Sequence, residues 1–153
     1  MKVVLQRSKA SKVTIDGKVH GEIDHGYVAL VSFTDGDNAE IIDKMIKKII
    51  NLRVFEDENE KMNLSILDTK GSILSISQFT LYADATKGNR PSFINAMKPD
   101  EATKLYDLFN EKLSKFLHVE TGIFGADMKV EIYNDGPVTI YLDSEELFKK
   151  GVK

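Results

Sequence analysis

Apolar residues recur at two different periods along this chain, and the switches between them mark its elements. From Asn38 onward, Ile41, Ile42, Met45, Ile46, Ile49 and Ile50 follow the spacing of one face of a helix. Asn38 is a ready N-cap for it, because its side-chain oxygen can accept from an orphan amide of the first turn. A second helical stripe runs over 99–117, opens on Pro99-Asp100-Glu101, and carries Ala102, Leu105, Tyr106, Phe109, Leu113 and Phe116. Elsewhere the apolar runs are short. Residues 1–15 read as a strand turned by Asp16-Gly17, a strong hairpin dipeptide. Tyr27–Thr34 and Ser72–Leu81 read as buried strands, and residues 52–55 as a short one. Residues 119–124, 129–133 and 138–142 complete the set, with Asn134-Asp135-Gly136-Pro137 as their sharpest interruption.

About seven short strands and two substantial helices, with no repeat or linker, predict a single α+β domain over 1–153. The pattern suggests a compact, strongly curved, barrel-like sheet flanked by the two helices. Residues 144–153 read as a polar tail of weak helical potential.

Composition narrows the chemistry. The 153 residues are 42% hydrophobic and 29% charged, ordinary values for a globular domain. No apolar run reaches the roughly 18 residues of a membrane span, and the start does not resemble a signal peptide. With no cysteine, disulfides, thiolate metal sites and cysteine nucleophiles are excluded. These features point to a cytoplasmic protein away from membranes. His20, His25 and His118 lack metal-type spacing, and the loop acids Asp35, Asp37, Asp57, Glu58 and Glu60 do not form an EF-hand. Neither a metal nor a cofactor is expected. A net charge of −3 argues against wrapping a long nucleic acid, and is compatible with a local basic patch for a short single-stranded end. Lys44, Lys47, Lys48, Lys112 and Lys115 offer such clusters on the helices; their plainer role is a solvated helix face.

Two motifs carry more information. Ser77-Gln78-Phe79-Thr80 ends the most apolar segment of the middle, and Asn134-Asp135-Gly136-Pro137-Val138-Thr139 breaks the last strand region. Singly, the first reads as strand-end hydroxyls satisfying a turn, and the second as a turn. Together with Val3-Val4-Leu5-Gln6-Arg7, Lys61-Met62-Asn63, Arg90-Pro91-Ser92-Phe93 and Gly125-Ala126-Asp127-Met128, in this order, they resemble the D-aminoacyl-tRNA deacylase family.

That resemblance implies a homodimeric esterase with its active site at the subunit interface and the 3′ end of an aminoacyl-tRNA as substrate. It implies a cis Gly136-Pro137 pair that reaches into the partner's pocket, where main-chain carbonyls exclude L-aminoacyl esters and admit D-aminoacyl and glycyl esters. It also implies attack assisted by the ribose 2′-OH, without metal, with the Phe79 amide on the oxyanion and Gln78 placing the terminal nucleotide. Thr80 as nucleophile is the competing assignment, and it lacks a visible base. Ser77 lines the same strand end. Arg7 and Met128 are carried over as pocket walls; the alternatives are an edge-strand Arg and a core-filling Met. Arg90 is suited equally to a phosphate or to anchoring its own loop. Two other functions fit the same residues: an editing module of the synthetase type that removes a wrong L-amino acid, and a non-catalytic binder of RNA ends.

Overall fold

Strands β1 (Lys2–Ser8) and β4 (Gly26–Ser32) form the middle of the molecule, since both are buried along most of their length. β1 pairs antiparallel with β4 on one side and with β10 (Asn134–Asp143) on the other. β4 runs parallel to β7 (Ser72–Ser77), and β7 parallel to β8 (Val119–Thr121). The result is a five-stranded mixed sheet in the order β10-β1-β4-β7-β8. A second sheet, β3-β2-β9, is built from β2 (Ser11–Ile15), β3 (Lys18–Ile23) and β9 (Lys129–Glu131). β5 (Phe55–Glu56) and β6 (Met62–Leu64) make a small separate hairpin. The fold, a computed structural model, describes residues 1–148.

Helices α1 (Ala39–Asn51) and α2 (Pro99–Leu113) cover one face of the large sheet. Their Ile42, Met45, Ile49, Tyr106 and Phe109 pack with Val3, Leu5, Tyr27, Val31 and Ile73 into the main core. The opposite face is covered only in part: Val13 and Ile23 of the small sheet bury Val28, Leu74 and Ile76. Asn38 caps α1 as its sequence predicts, its side chain accepting from the Ile41 amide at 3.0 Å. Asp16 and Gly17 both adopt positive φ (50° and 76°), the geometry a two-residue hairpin turn requires.

Several expectations are corrected. The sheets do not close as a barrel: β10 and β8 stay as the edges of one layer, and three strands stack on half of it. The N-terminal run is two strands in two sheets, because the chain bends between Ser8 and Ser11. The bend is held by Lys9 N–H donating to the Tyr133 carbonyl and Ser11 Oγ accepting from the Tyr133 amide. β7 stops at Ser77, and Phe79–Tyr82 form a 3₁₀ turn. The second helix ends at Leu113, leaving Phe116 exposed. Asn134–Pro137 do not separate two strands but lie inside β10. Ser144–Phe148 form a short helix, α3; the rest of the expected polar tail lies outside the described residues. No described helix is long and apolar enough to cross a membrane.

Candidate active site

The end of β7 leaves the sheet in a way that exposes backbone. The Gln78 amide still reaches the Val31 carbonyl of β4 at 2.8 Å, a last tie to the sheet. Beyond it the chain tightens, with Leu81 N–H donating to the Gln78 carbonyl and Ala83 N–H to the Thr80 carbonyl. A turn that starts this way has no acceptor for its first amides. Among the described residues, the Phe79 and Thr80 amides have no hydrogen-bond partner. Gln78 Nε2 donates to Thr80 Oγ1 at 2.6 Å, which orients both side chains.

A cavity of about 310 Å³ opens at this strand end, lined by Ser77, Gln78, Phe79, Phe124, Asp127 and Met128 among others. Met128 leans on the small-sheet core with Val130, and its Sδ lies over Gly122, in space that a Cβ there would need. Met128 is therefore both a core residue and a wall. Of the residues expected from sequence, Ser77, Gln78, Phe79 and Met128 come together here, with Thr80 one residue beyond.

Arg7, Gly136 and Pro137 form a second, separate constellation. Between the pairs Gln6–Thr139 and Ser8–Asn134, β1 has one residue and β10 has four, so Asp135–Val138 bulge outward. Proline is tolerated because β10 is an edge. The Gly136-Pro137 peptide is cis, Gly136 has φ +146°, and both residues are exposed. Glycine is required at that φ, and a Cβ there would also meet the Val138 amide at 2.7 Å.

The bulge is tied from two sides. Asn134 Oδ1 accepts from the Val138 amide at 2.8 Å, while its Nδ2 donates to Thr139 Oγ1 at 3.0 Å and to Gln6 Oε1 at 3.3 Å. Buried Arg7 donates from Nε to the Asp135 carbonyl at 2.8 Å and from the outer guanidinium to the Val54 carbonyl at 2.7 Å. Glu56 and Asp135 carboxylates stand 3.7 and 3.8 Å from it. Burial pushes the Tyr27 hydroxyl far above its ordinary range, and the neighbouring Arg7 charge opposes that shift.

Within one chain the two constellations do not meet. The bulge lies opposite Arg7, which pairs through Tyr27 to Ile73, four residues before Ser77 and three strands away. Strand rise and spacing make that separation roughly 20 Å.

Each histidine has its own partner: His20 the Thr121 carbonyl, His118 the Glu120 carboxylate, and His25, in the pocket it shares with Arg7 and Asp135, the Thr69 carbonyl. The roles of Asn134 and Gly122 went unnoticed in the sequence, where Asn134 read as part of a turn and Gly122 fell inside the strand expected over 119–124. Phe124 was placed at a strand end, and the structure puts it on the cavity wall.

Sheet order, strand-end cavity and bulged edge together define one architecture, and comparison with known proteins says whose. Residues 4–143 match the family described as D-Tyr-tRNA(Tyr) deacylase. A D-aminoacyl-tRNA deacylase of Bacillus cytotoxicus is 58% identical over 146 residues, which cover 95% of this chain and all of that one. A solved structure named c-Myc DNA Unwinding Element Binding Protein is 41% identical with a TM-score of 0.89, covering 94% of this chain and 98% of its own. Another, of a probable eukaryotic D-amino acid tRNA deacylase, is 17% identical with a TM-score of 0.79. It covers 92% of this chain and 97% of its own, and supports the fold. The chain belongs to the D-Tyr-tRNA(Tyr) deacylase family.

Proposed function

We propose that this enzyme hydrolyses the ester of D-aminoacyl-tRNA, and of mischarged glycyl-tRNA, as a homodimer in which each active site draws on both subunits. Hydrolysis of a D-aminoacyl-tRNA ester follows from the family; the finer mechanism rests on the geometry. The observation that carries it is the separation of roughly 20 Å between the Gly136-Pro137 bulge and the Ser77–Phe79 cavity of the same chain. An exposed, outward bulge that is held rigid is suited to entering a second copy's cavity. In a two-fold dimer each copy would supply a bulge and receive one.

In this reading the free Phe79 amide stabilises the oxyanion as the ester carbonyl is attacked, the kind of preorganised donor that is often the largest catalytic term. Gln78 and Ser77 hold the terminal nucleotide, and the neighbouring ribose 2′-OH assists attack. No metal is assigned a step. The partner's Gly136-Pro137 carbonyls stand where an L side chain would project, so selection works by exclusion and is blind to side-chain identity. Arg7 acts here through Asp135 as a tether of the wall. Met128 closes the cavity. Thr80 orients Gln78: its one side-chain neighbour by hydrogen bond is an amide, which cannot serve as a base.

The direct test is deacylation of matched D-tyrosyl-, L-tyrosyl- and glycyl-tRNA with chelator present. Loss of the D and glycyl esters with the L ester spared is expected. Loss of the L ester would identify a synthetase-type editor, and no loss at all a non-catalytic RNA-end binder. The shared site has its own test. Mixing inactive Gln78→Ala with inactive Gly136→Val should restore about a quarter of wild-type activity, since half of the dimers are mixed and each mixed dimer has one intact site. No recovery in verified mixed dimers would place both constellations in one subunit's site.

A further inference from the structure

Beside the cavity, residues 85–95 are exposed without interruption, a run found nowhere else among the described residues. This lobe is closed at its neck by Asp84 and Ser92, whose backbones exchange two hydrogen bonds of 2.8 Å. Asp84 also accepts from the Thr86 amide at 2.9 Å and from Thr86 Oγ1 at 2.6 Å, and these bonds hold its carboxyl below the ordinary range. On the far side, Thr34 Oγ1 donates to the Asn95 carbonyl and Met97 N–H to the Phe33 carbonyl. The lobe is therefore a fixed projection.

Its surface chemistry is unusual for a chain of net charge −3. Residues 85–95 contain Lys87 and Arg90 and no acid. They also present Phe93, 39% exposed, and Ile94, 83% exposed. Phe93 meets the ring of Phe79 edge-on, with centroids 5.1 Å apart, and Phe79 is itself 53% exposed. Exposed rings cost solvation unless something covers them. Here they continue directly from Phe79, a residue that lines the cavity.

We infer that the lobe is a platform for the single-stranded 3′ end of the tRNA, taking the nucleotides that precede the terminal one. Rings at a cavity mouth with flanking cations match a flexible strand, which offers a π-face with each base and a negative charge with each phosphate. Phe93 and Ile94 support bases, and Lys87 and Arg90 neutralise phosphates. A second copy of the chain is the less suited occupant, since two-fold contact through this lobe would bring like charges together. The inference rests on the functional reading above for the identity of the RNA, and its test separates the two.

Lys87→Gln/Arg90→Gln and Phe93→Ser are compared with wild type on D-tyrosyl-tRNA and on the D-tyrosyl ester of adenosine, which lacks the preceding nucleotides. The variants should raise KM for the tRNA about tenfold with kcat retained, and hydrolyse the adenosine ester as wild type does. Phe93→Trp should restore the tRNA KM, because it restores a stacking face. Binding of a short single-stranded RNA ending in CCA gives an independent reading. There the charge variant should flatten the log Kd–log salt slope by about 1.4, at about 0.7 per phosphate contact. Equal losses on both substrates would overturn the inference by reducing Phe93 to a prop for Phe79. So would no loss on either, or a change of oligomeric state, which would make the lobe an interface between copies. If wild type cleaves neither ester yet binds the RNA through these residues, the platform stands and the hydrolase reading falls. If it cleaves both and RNA binding ignores the lobe, the platform falls alone.

Discussion

The Gly136-Pro137 bulge and the Ser77–Thr80 strand end are both departures from a strand, and they are stabilised in opposite ways. The bulge is held by side chains: Arg7 grips the Asp135 carbonyl, and Asn134 closes the loop onto Val138 and Thr139. Its own Gly136 and Pro137 offer no side-chain functional group and have no ladder partner. The strand end is held by backbone, through Gln78 to Val31 and a single 3₁₀ turn, and it presents free amides and polar side chains. One region is a passive surface that must not move, and the other an active surface that must stay unsatisfied. If, as proposed above, handedness is inspected by the first while the second does the chemistry, substitutions in the two regions should differ in kind.

The largest effect is expected at Arg7. Arg7→Ala removes two bonds to carbonyls and leaves Asp135 O and Val54 O without that donor, beneath a side chain that is itself buried. A loss of about 3 kcal/mol in urea unfolding is expected, the usual cost of stranding buried polar groups. Activity should fall with it. A stability change below about 0.5 kcal/mol would break the claim that the bulge is held from beneath. Next in size is Gly136→Ala, whose Cβ would be strained at φ +146° and lie 3.3 Å from the Arg7 guanidinium. We expect a loss of about 1–2 kcal/mol and at least tenfold lower D-ester turnover. An enzyme that remained fast and D-selective would refute the placing of the wall. Asn134→Ala should cost about 1 kcal/mol, and its signature is selectivity: faster L-ester cleavage relative to D, measured on paired tyrosyl-tRNAs.

How far the sequence revealed these regions follows from the same contrast. Local signals were legible: the Ile stripe of α1 with its Asn38 cap, the Asp16-Gly17 turn, and the apolar run of β7 each depend on residues close in sequence. The bulge was misread as a break between strands, because its four residues are accommodated by β1, more than a hundred positions away. A Gly-Pro step looks the same in a turn and in a bulged edge strand; only the register across Gln6 and Ser8 tells them apart. The barrel expectation failed for a related reason. Strand count was readable, but closure depends on which strands pair, and β4 pairs parallel with β7 while the small sheet stacks on one face. Arg7 was carried into the site as a wall, and its depth and its carbonyl partners were beyond any local pattern.

The smallest expected effect is also the sharpest for mechanism. Thr80 is exposed, and its hydroxyl oxygen accepts from Gln78 Nε2. A nucleophilic hydroxyl needs a base within reach to take its proton, and an amide nitrogen that is already donating cannot do so. Thr80→Ala removes only the acceptor that steadies Gln78. Single-turnover deacylation of D-tyrosyl-tRNA should therefore slow by no more than about threefold, the scale of one exposed neutral hydrogen bond. KM should rise modestly if Gln78 places the nucleotide. A loss of a hundredfold or more in the chemical step, with KM unchanged, would make Thr80 the nucleophile. The strand end would then be a side-chain catalyst after all, and its contrast with the bulge would no longer be one of backbone against side chain.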